Sequence, residues 1–171
     1  MQETVYNFLV QDHRRIEDIL DKAIENIYSV DENLYAEFRI ALLTHIKIEE
    51  KILFPLAQKG NNNQPLELQA QLRLEHGAIT SLMVLPPTPE MIKVLKYVLD
   101  KHDEKEEKEG GMYEICQHLT YAQTENLLEE FKNISLVPVH PTKNIAFAWE
   151  AAKRSLARAG FDYDKIVNDI K

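Results

Sequence analysis

The chain has 171 residues, 44% of them hydrophobic and 28% charged, which is ordinary for a globular protein of about one domain. Its net charge of −8 argues against a nucleic-acid partner, because phosphate binding requires clustered lysine and arginine side chains. No apolar run approaches the roughly 18 residues that cross a membrane, so we expect no membrane partner, and we expect no secretory signal.

The first two predicted helices each carry an apolar stripe with steps of three and four residues. The first spans residues 3–29, and its stripe consists of Leu9, His13, Ile16, Leu20, Ala23 and Ile27. The second begins with N-cap chemistry in residues 31–33 and runs to about residue 58, with a stripe of Phe38, Leu42, His45, Glu49 and Ile52. Pro55 lies late in this helix, where we expect it to kink or end the helix.

The next two predicted helices repeat the pattern. A third helix spans residues 65–83, and its stripe consists of Leu68, Leu72, His76, Ile79 and Met83. The fourth begins with Thr88 as N-cap and Pro89 at the first helical position. Its stripe consists of Met91, Leu95, Val98, His102 and Glu106, and two glycines at 110–111 interrupt it.

Shorter apolar segments follow the fourth helix, at residues 112–119 and 124–131. The chain from residue 135 starts irregular, with two prolines, and then predicts helix over residues 144–159 and again after Gly160. Four long helices with short links predict an all-α, up-down four-helix bundle in residues 1–134. Residues 135–171 would form a C-terminal helical extension that packs on or beside the bundle.

Every one of the four stripes contains a histidine, and two add a glutamate four residues later. His45 is followed by Glu49, and His102 by Glu106. Residues at i and i+4 share one helical face, so each pair directs an imidazole and a carboxylate to the same place. A second glutamate and a lysine follow both Glu49 and Glu106. The first two helices thus carry a histidine and then a histidine–glutamate pair, and the last two helices repeat that order.

Four imidazoles and two carboxylates in a bundle core predict a dinuclear metal site. Ionised carboxylates in an apolar core are costly unless they are paired or bound to metal, and no basic residue shares these stripes. The mixture of nitrogen and oxygen suits iron, with manganese or zinc as alternatives. The candidate ligands are His13, His45, Glu49, His76, His102 and Glu106. His118 and His140 belong to no repeat, and we interpret them as surface residues.

These motifs resemble those of the hemerythrin-like family of non-haem diiron bundles. The similarity covers residues 5–132 and rests on segments 12–16 (Asp-His-Arg-Arg-Ile), 45–55 (His-Ile-Lys-Ile-Glu-Glu-Lys-Ile-Leu-Phe-Pro), 74–76 (Leu-Glu-His) and 102–107 (His-Asp-Glu-Lys-Glu-Glu). The resemblance implies that His13 and His45 bind one iron, and that His76 and His102 bind the other. Glu49 and Glu106 would bridge the irons together with an oxo or hydroxo group from solvent.

The sequence departs from the family pattern at two positions. The oxygen carriers of the family have another histidine where this chain has Leu72, so the second iron would have either a vacant position or a substitute, for which Glu75, Glu17 and water are the candidates. The carriers also place an aspartate five residues after the fourth-helix histidine, whereas this chain offers Glu106 at four and Glu107 at five. We favour Glu106, because the first repeat uses the four-residue step.

We therefore expect a diiron protein that binds or senses a small oxidant (dioxygen, nitric oxide or peroxide) or handles iron. One alternative is a diiron enzyme, either a peroxidase or oxidase or a protein that repairs damaged iron clusters. Another is a regulatory module in which metal stabilises the bundle and the C-terminal extension contacts a protein partner through Phe147, Trp149 or Phe161. The single cysteine, Cys116, fits a reducing compartment, so we expect the cytoplasm.

Overall fold

A computed structural model of the chain describes residues 3–169, and within that range it contains helices and no strands. The long helices are α1 (Val5–Ala23), α2 (Glu32–Ile48) with its continuation α3 (Phe54–Gly60), α4 (Gln69–Leu82) and α5 (Pro89–Glu107). Further helices follow as α6 (Met112–Leu119), a single turn at Tyr121–Gln123, α7 (Thr124–Lys132), α8 (Ala146–Ala159) and α9 (Tyr163–Asp169). The all-α class and the additional C-terminal helices are confirmed.

Side-chain caps begin three of the long helices. The Thr4 hydroxyl accepts from the Asn7 amide, Asp31 caps α2, and Thr88 caps α5 directly before Pro89. The predicted first helix over residues 3–29 is too long, because α1 ends at Ala23. The Ala23 carbonyl there accepts a bond from the Asp31 amide at 2.9 Å, which closes the link to α2. The third helix likewise begins at residue 69 rather than 65.

Pro55 does not end the second helix, which continues as α3. A π-helical turn at Glu49–Leu53, called the wide turn below, joins α2 to α3. In it the Phe54 amide donates to the Glu49 carbonyl five residues earlier. This turn accommodates a proline, whose nitrogen cannot donate and whose ring would crowd an ordinary helical turn. The extra residue also shifts the buried face. Leu53 and Phe54 are fully buried, whereas the predicted stripe residue Ile52 is only partly buried.

Two apolar clusters fill the bundle, one on each side of a polar layer. The first includes Ile16, Leu42, Ile79 and Val98, and the second includes Leu9, Ile48, Leu72 and Met112. Along α1, α2 and α4, the histidine lies between a residue of one cluster and a residue of the other. The helices therefore cross from one core to the other at the level of the histidines, and that level is the candidate site.

The C-terminal helices pack against the bundle. Helix α8 lies on α4 and contributes Ala152 and Leu156, both fully buried, to the first apolar cluster. Helix α9 lies on α5, where Lys93 Nζ donates to the Val167 carbonyl at 2.8 Å. Within residues 3–169, no helix is both long enough and apolar enough to span a membrane.

Candidate metal centre

Six polar side chains from the long helices meet in the layer between the two apolar clusters. They are His13 from α1, His45 from α2, Glu49 from the wide turn, His76 from α4, and His102 and Glu106 from α5. Both glutamates are fully buried, and none of the four histidines is more than 4% exposed. The structure thus brings together all six residues that the repeated pattern indicated.

Their ligand-type atoms form two groups, in each of which all atoms lie within 4.8 Å of one another. The groups are His13, His45, Glu49, Glu106 and Glu49, His76, His102, Glu106. Glu49 belongs to both, with Oε1 at 3.2 Å from His45 Nε2 and Oε2 at 3.1 Å from His76 Nε2. Glu106 also belongs to both groups, with Oε2 at 3.5 Å from His13 Nε2 and Oε1 at 3.3 Å from His102 Nε2.

The six side chains fit metal ions, because two of their carboxylate oxygens accept no hydrogen bond within the described part of the chain. Glu49 Oε2 and Glu106 Oε1 are buried and accept no hydrogen bond from any residue between 3 and 169. Leaving such a charged oxygen unsatisfied costs about 1–3 kcal/mol or more. In addition, Nε2 of His76 and Nε2 of His102 lie 3.1 Å apart. A cation between these atoms would satisfy all of them at once, so the two groups suit metal binding.

Each imidazole turns its other nitrogen, Nδ1, towards a carboxylate outside the two groups. The Nδ1–oxygen distances are 2.7 Å for His13 with Glu107, 2.8 Å for His45 with Asp12, 2.8 Å for His76 with Glu50, and 2.9 Å for His102 with Glu75. When Nδ1 donates such a bond, the tautomer is fixed and the Nε2 lone pair faces the centre. We call these four carboxylates the outer carboxylates.

Every outer carboxylate also contacts a basic side chain. Arg14 pairs with Glu107, Arg15 with Asp12 at 2.7 Å, Arg73 with Glu50 at 3.0 Å, and Lys105 with Glu75 at 2.8 Å. The basic residues therefore neutralise the outer carboxylates and not Glu49 or Glu106. Positive charge at the centre itself must come from protons on the imidazoles or from metal ions.

The pKa shifts follow from this arrangement. Burial disfavours protonation of His45, but the carboxylates of Glu49 and Asp12 outweigh it and raise the pKa of the imidazole to about 10. Burial acts likewise on His102, and Glu106 and Glu75 raise its pKa well above the ordinary value. Burial alone would raise the pKa of Glu49, yet His45 and His76 hold it well below its usual range. Metal ions binding here would replace imidazole protons.

Sequence reasoning missed Tyr113, whose hydroxyl lies inside the first group. Its oxygen is 2.6 Å from Glu49 Oε1, 2.9 Å from Glu106 Oε2, 2.9 Å from His13 Nε2 and 3.0 Å from His45 Nε2. The side chain is fully buried, and burial together with Glu106 and Glu49 raises the pKa of the phenol well above its ordinary value. No i+4 step joins Tyr113 to the histidines, so the periodic pattern did not indicate it.

The glycines at 110–111 bring Tyr113 to this place. Gly110 adopts a positive φ of 70°, and a Cβ at Gly111 would meet the carbonyl oxygens of Lys105 and Lys108 at 2.7 Å. The chain can therefore turn sharply after α5 and begin α6, with Tyr113 in its first turn. The predicted interruption at these glycines is confirmed, and the turn that they form places Tyr113 at the centre.

The residues named as substitutes for a fifth histidine lie elsewhere. Glu75 is an outer carboxylate on His102, and Glu17 is a surface partner of Arg14. Leu72 is fully buried in the second apolar cluster. Among the described residues, neither glutamate joins the two groups of ligand-type atoms.

The remaining candidates are also placed. Glu107 lies outside the two groups and contacts the far nitrogen of His13, whereas Glu106 belongs to both. His118 and His140 are exposed, as expected for surface residues.

A cavity of about 140 Å³ adjoins the centre beside His13. Apolar side chains such as Ile16, Phe38 and Leu99 form part of its wall, and Asp103 also lines it. The Asp103 carboxylate is 3.8 Å from His13 Nε2, and burial raises its pKa to about 6. A small molecule in this cavity would lie next to both a ligand-type imidazole and a carboxyl able to hold a proton.

The helical bundle with its two imidazole–carboxylate groups defines a cation-binding domain. Residues 4–133 match the family model of the hemerythrin HHE cation binding domain, and the chain belongs to this family. Comparisons with curated proteins and with solved structures gave no significant match.

Proposed function

We propose that the protein holds two iron ions, bridged by an oxo or hydroxo group, and uses them to bind or sense a small oxidant such as dioxygen, nitric oxide or peroxide. The observation that carries this proposal is the sharing of Glu49 and Glu106 by two imidazole groups. In the proposal, His13 and His45 hold one ion and His76 and His102 the other. Mixed nitrogen and oxygen ligands suit iron, although manganese or zinc would accept the same atoms.

The surrounding residues have defined parts in this function. The outer carboxylates hold each imidazole with Nε2 towards the ions and strengthen it as a ligand. The cavity beside His13 has room for a molecule of a few atoms, and the apolar clusters keep other solutes away. Iron, when bound, supplies the electrons that a small oxidant accepts.

Elemental analysis of anaerobically purified protein, followed by optical spectra before and after air, tests the proposal. We expect about two irons per chain and, in air, the charge-transfer bands of a bridged diferric pair. His45→Ala and His102→Ala should each lower the iron content, whereas His118→Ala, on the surface, should leave it unchanged. Wild-type protein without iron, or with zinc alone and no response to air, would refute the diiron assignment.

Asp103 supports a second candidate, turnover of peroxide. Reduction of one peroxide to two waters would consume two protons and the two electrons of a diferrous pair, which an added reductant must restore for turnover. The Asp103 carboxyl lines the cavity 3.8 Å from His13 Nε2 and is placed to pass on one of the protons. Asp103→Asn should then slow peroxide consumption while iron content stays the same. A reversible binder would show ligand spectra and no consumption in either variant.

We also propose a cytoplasmic location, since one cysteine suits a reducing compartment. The bundle unit would be residues 1–134, with residues 135–171 as the extension.

Phe147 in α8 is 71% exposed and offers an apolar contact for a protein partner. Phe147→Ala should weaken capture of such a partner, and unchanged capture would remove this role.

A further inference from the structure

We propose that Tyr113 is a ligand of the metal ion held by His13, His45, Glu49 and Glu106, so that this ion has five protein ligands. The inference rests on the two-metal function proposed above and adds a residue to it. It comes from the position of the tyrosine hydroxyl among the ligand-type atoms, which no periodic pattern in the chain explains.

Hydrogen bonding alone does not account for the four contacts of this hydroxyl. A phenol has one proton to donate, yet two carboxylate oxygens, Glu49 Oε1 and Glu106 Oε2, lie 2.6 and 2.9 Å from its oxygen, and two imidazole nitrogens lie 2.9 and 3.0 Å away. His13 and His45 each place Nδ1 against an outer carboxylate and so direct Nε2 towards Tyr113. The two carboxylates can only accept, so they compete for the single phenolic proton, and one of them faces the tyrosine oxygen without a hydrogen between them.

The distances match those between neighbouring ligands of one metal ion. Bonds from a metal to nitrogen or oxygen are about 2.0–2.2 Å long, so ligands at right angles lie about 3 Å apart. The tyrosine oxygen lies 2.6–3.0 Å from all four atoms, as one apex of an octahedron would from its four neighbours. The edge between His45 Nε2 and Glu49 Oε1, at 3.2 Å, is of the same size.

The fold fixes Tyr113 in this position. It is fully buried, its ring makes an edge contact with Tyr6 at 6.4 Å, and the close approach at Gly111 holds the start of α6 against the end of α5. On the side of the second group, Glu49 Oε2 and Glu106 Oε1 accept no hydrogen bond from a hydroxyl of any described residue. The two ions would therefore differ in their protein ligands.

Coordination requires the phenol to lose its proton. The metal ion takes the place of that proton on the oxygen, and the proton leaves to solvent, so no oxidation or reduction is involved. Two spectroscopic signals follow. Adding metal to metal-free protein should produce the ultraviolet difference spectrum of one ionised tyrosine per chain, and ferric protein should show phenolate modes in its resonance Raman spectrum.

The test compares wild-type protein with Tyr113→Phe and with the matched control Tyr6→Phe. Tyr6 is the neighbouring tyrosine, and its hydroxyl bonds to the Glu107 carbonyl, outside the centre. We expect Tyr113→Phe to lose both signals while it keeps its bound metal, and Tyr6→Phe to retain both. The titration is made with ferrous iron, zinc and manganese in turn, so that it does not depend on iron.

The outcomes separate this inference from the proposed function. Wild-type protein that binds two irons without either phenolate signal would overturn the role of Tyr113 and leave the diiron proposal standing. Signals that persist in Tyr113→Phe would also overturn it. Protein that binds none of the three metals would overturn both proposals. The wild-type spectra alone decide the question if Tyr113→Phe does not fold.

Discussion

The Nδ1 atom of His45 lies 2.8 Å from Oδ2 of Asp12, a residue of another helix that directly precedes His13 in the chain. The other outer carboxylates follow the same rule. Each is the sequence neighbour of one centre residue but contacts the histidine of a different helix. Glu50 follows Glu49 and contacts His76, and Glu107 follows Glu106 and contacts His13. The helices are therefore cross-linked around the centre by their own adjacent residues.

Asp12→Asn should weaken metal binding by about 10–100-fold, because a neutral amide supports the His45 imidazole less well than a carboxylate does. The number of ions bound at saturating metal should not change. Competition titration against a chelator measures both quantities. Asp18→Asn, at an exposed position of the same helix, is the control and should bind as wild type. Equal affinity in the two variants would contradict an orienting role for Asp12.

Glu49→Gln and Glu50→Gln change adjacent residues in different layers of the site. Glu49 contacts both imidazole groups, so its variant should bind less than one ion per chain. Glu50 contacts only the outer nitrogen of His76, so its variant should keep two ions with lower affinity. Elemental analysis after gel filtration gives the stoichiometry, with Glu104→Gln on the solvent side of α5 as control. The same loss in both glutamine variants would contradict the bridging role of Glu49.

Metal removal should destabilise the fold, since Glu49 and Glu106 would remain buried with unsatisfied oxygens. At a metal concentration about 100-fold above the dissociation constant, binding should add about 2.7 kcal/mol to the free energy of unfolding. Urea denaturation of chelator-treated protein, with and without added metal, measures the difference. Coincident unfolding curves would show that the native state gains nothing from metal.

Cys116 should react slowly with thiol reagents in the native protein. Its side chain is fully buried, and burial together with the carboxylates of Glu49 and Glu106 raises the pKa of the thiol. Because only transiently opened molecules react, labelling should be at least about 10³-fold slower than in urea-unfolded protein. Stopped-flow labelling with a chromogenic disulfide measures the rates. Comparable rates in the two states would contradict the burial of this thiol.

Leu156→Ala and Phe147→Ala test how far α8 belongs to the bundle core. Leu156 is fully buried, so its truncation should cost about 2–5 kcal/mol of unfolding free energy. Phe147 is 71% exposed, and its truncation should change that free energy by no more than about 0.5 kcal/mol. Thermal and urea denaturation measure both. A stable Leu156→Ala variant would mean that α8 contributes little to stability.

The histidines and glutamates of the centre were predictable because their signal is local. One turn of helix separates His45 from Glu49 and His102 from Glu106, and a polar residue in an apolar stripe is conspicuous in any single helix. The same reasoning predicted Thr88 as an N-cap and placed the cap of the second helix within residues 31–33, where Asp31 forms it. These features depend on a few neighbouring residues and need no knowledge of how the helices pack.

The rest of the site depends on contacts between helices. Asp12 and Glu50 could be noticed beside the predicted ligands, but spacing does not tell which histidine each one reaches. Tyr113 lies in a separate helix after a glycine turn, and nothing in its own segment distinguishes it from a core aromatic residue. The wide turn before Pro55 shifted the buried face by one residue, so the predicted position of Ile52 was wrong.

Three of the four basic partners of the outer carboxylates have their side chains largely in water. Arg14 is 54% exposed, Arg15 55% and Arg73 59%. At physiological ionic strength, dissolved ions screen charges over about 8 Å, so counterions compete for these guanidinium groups. Each group is one hydrogen-bonded carboxylate away from a histidine of the centre. The ionic strength of the solution therefore influences how the buried histidines are held.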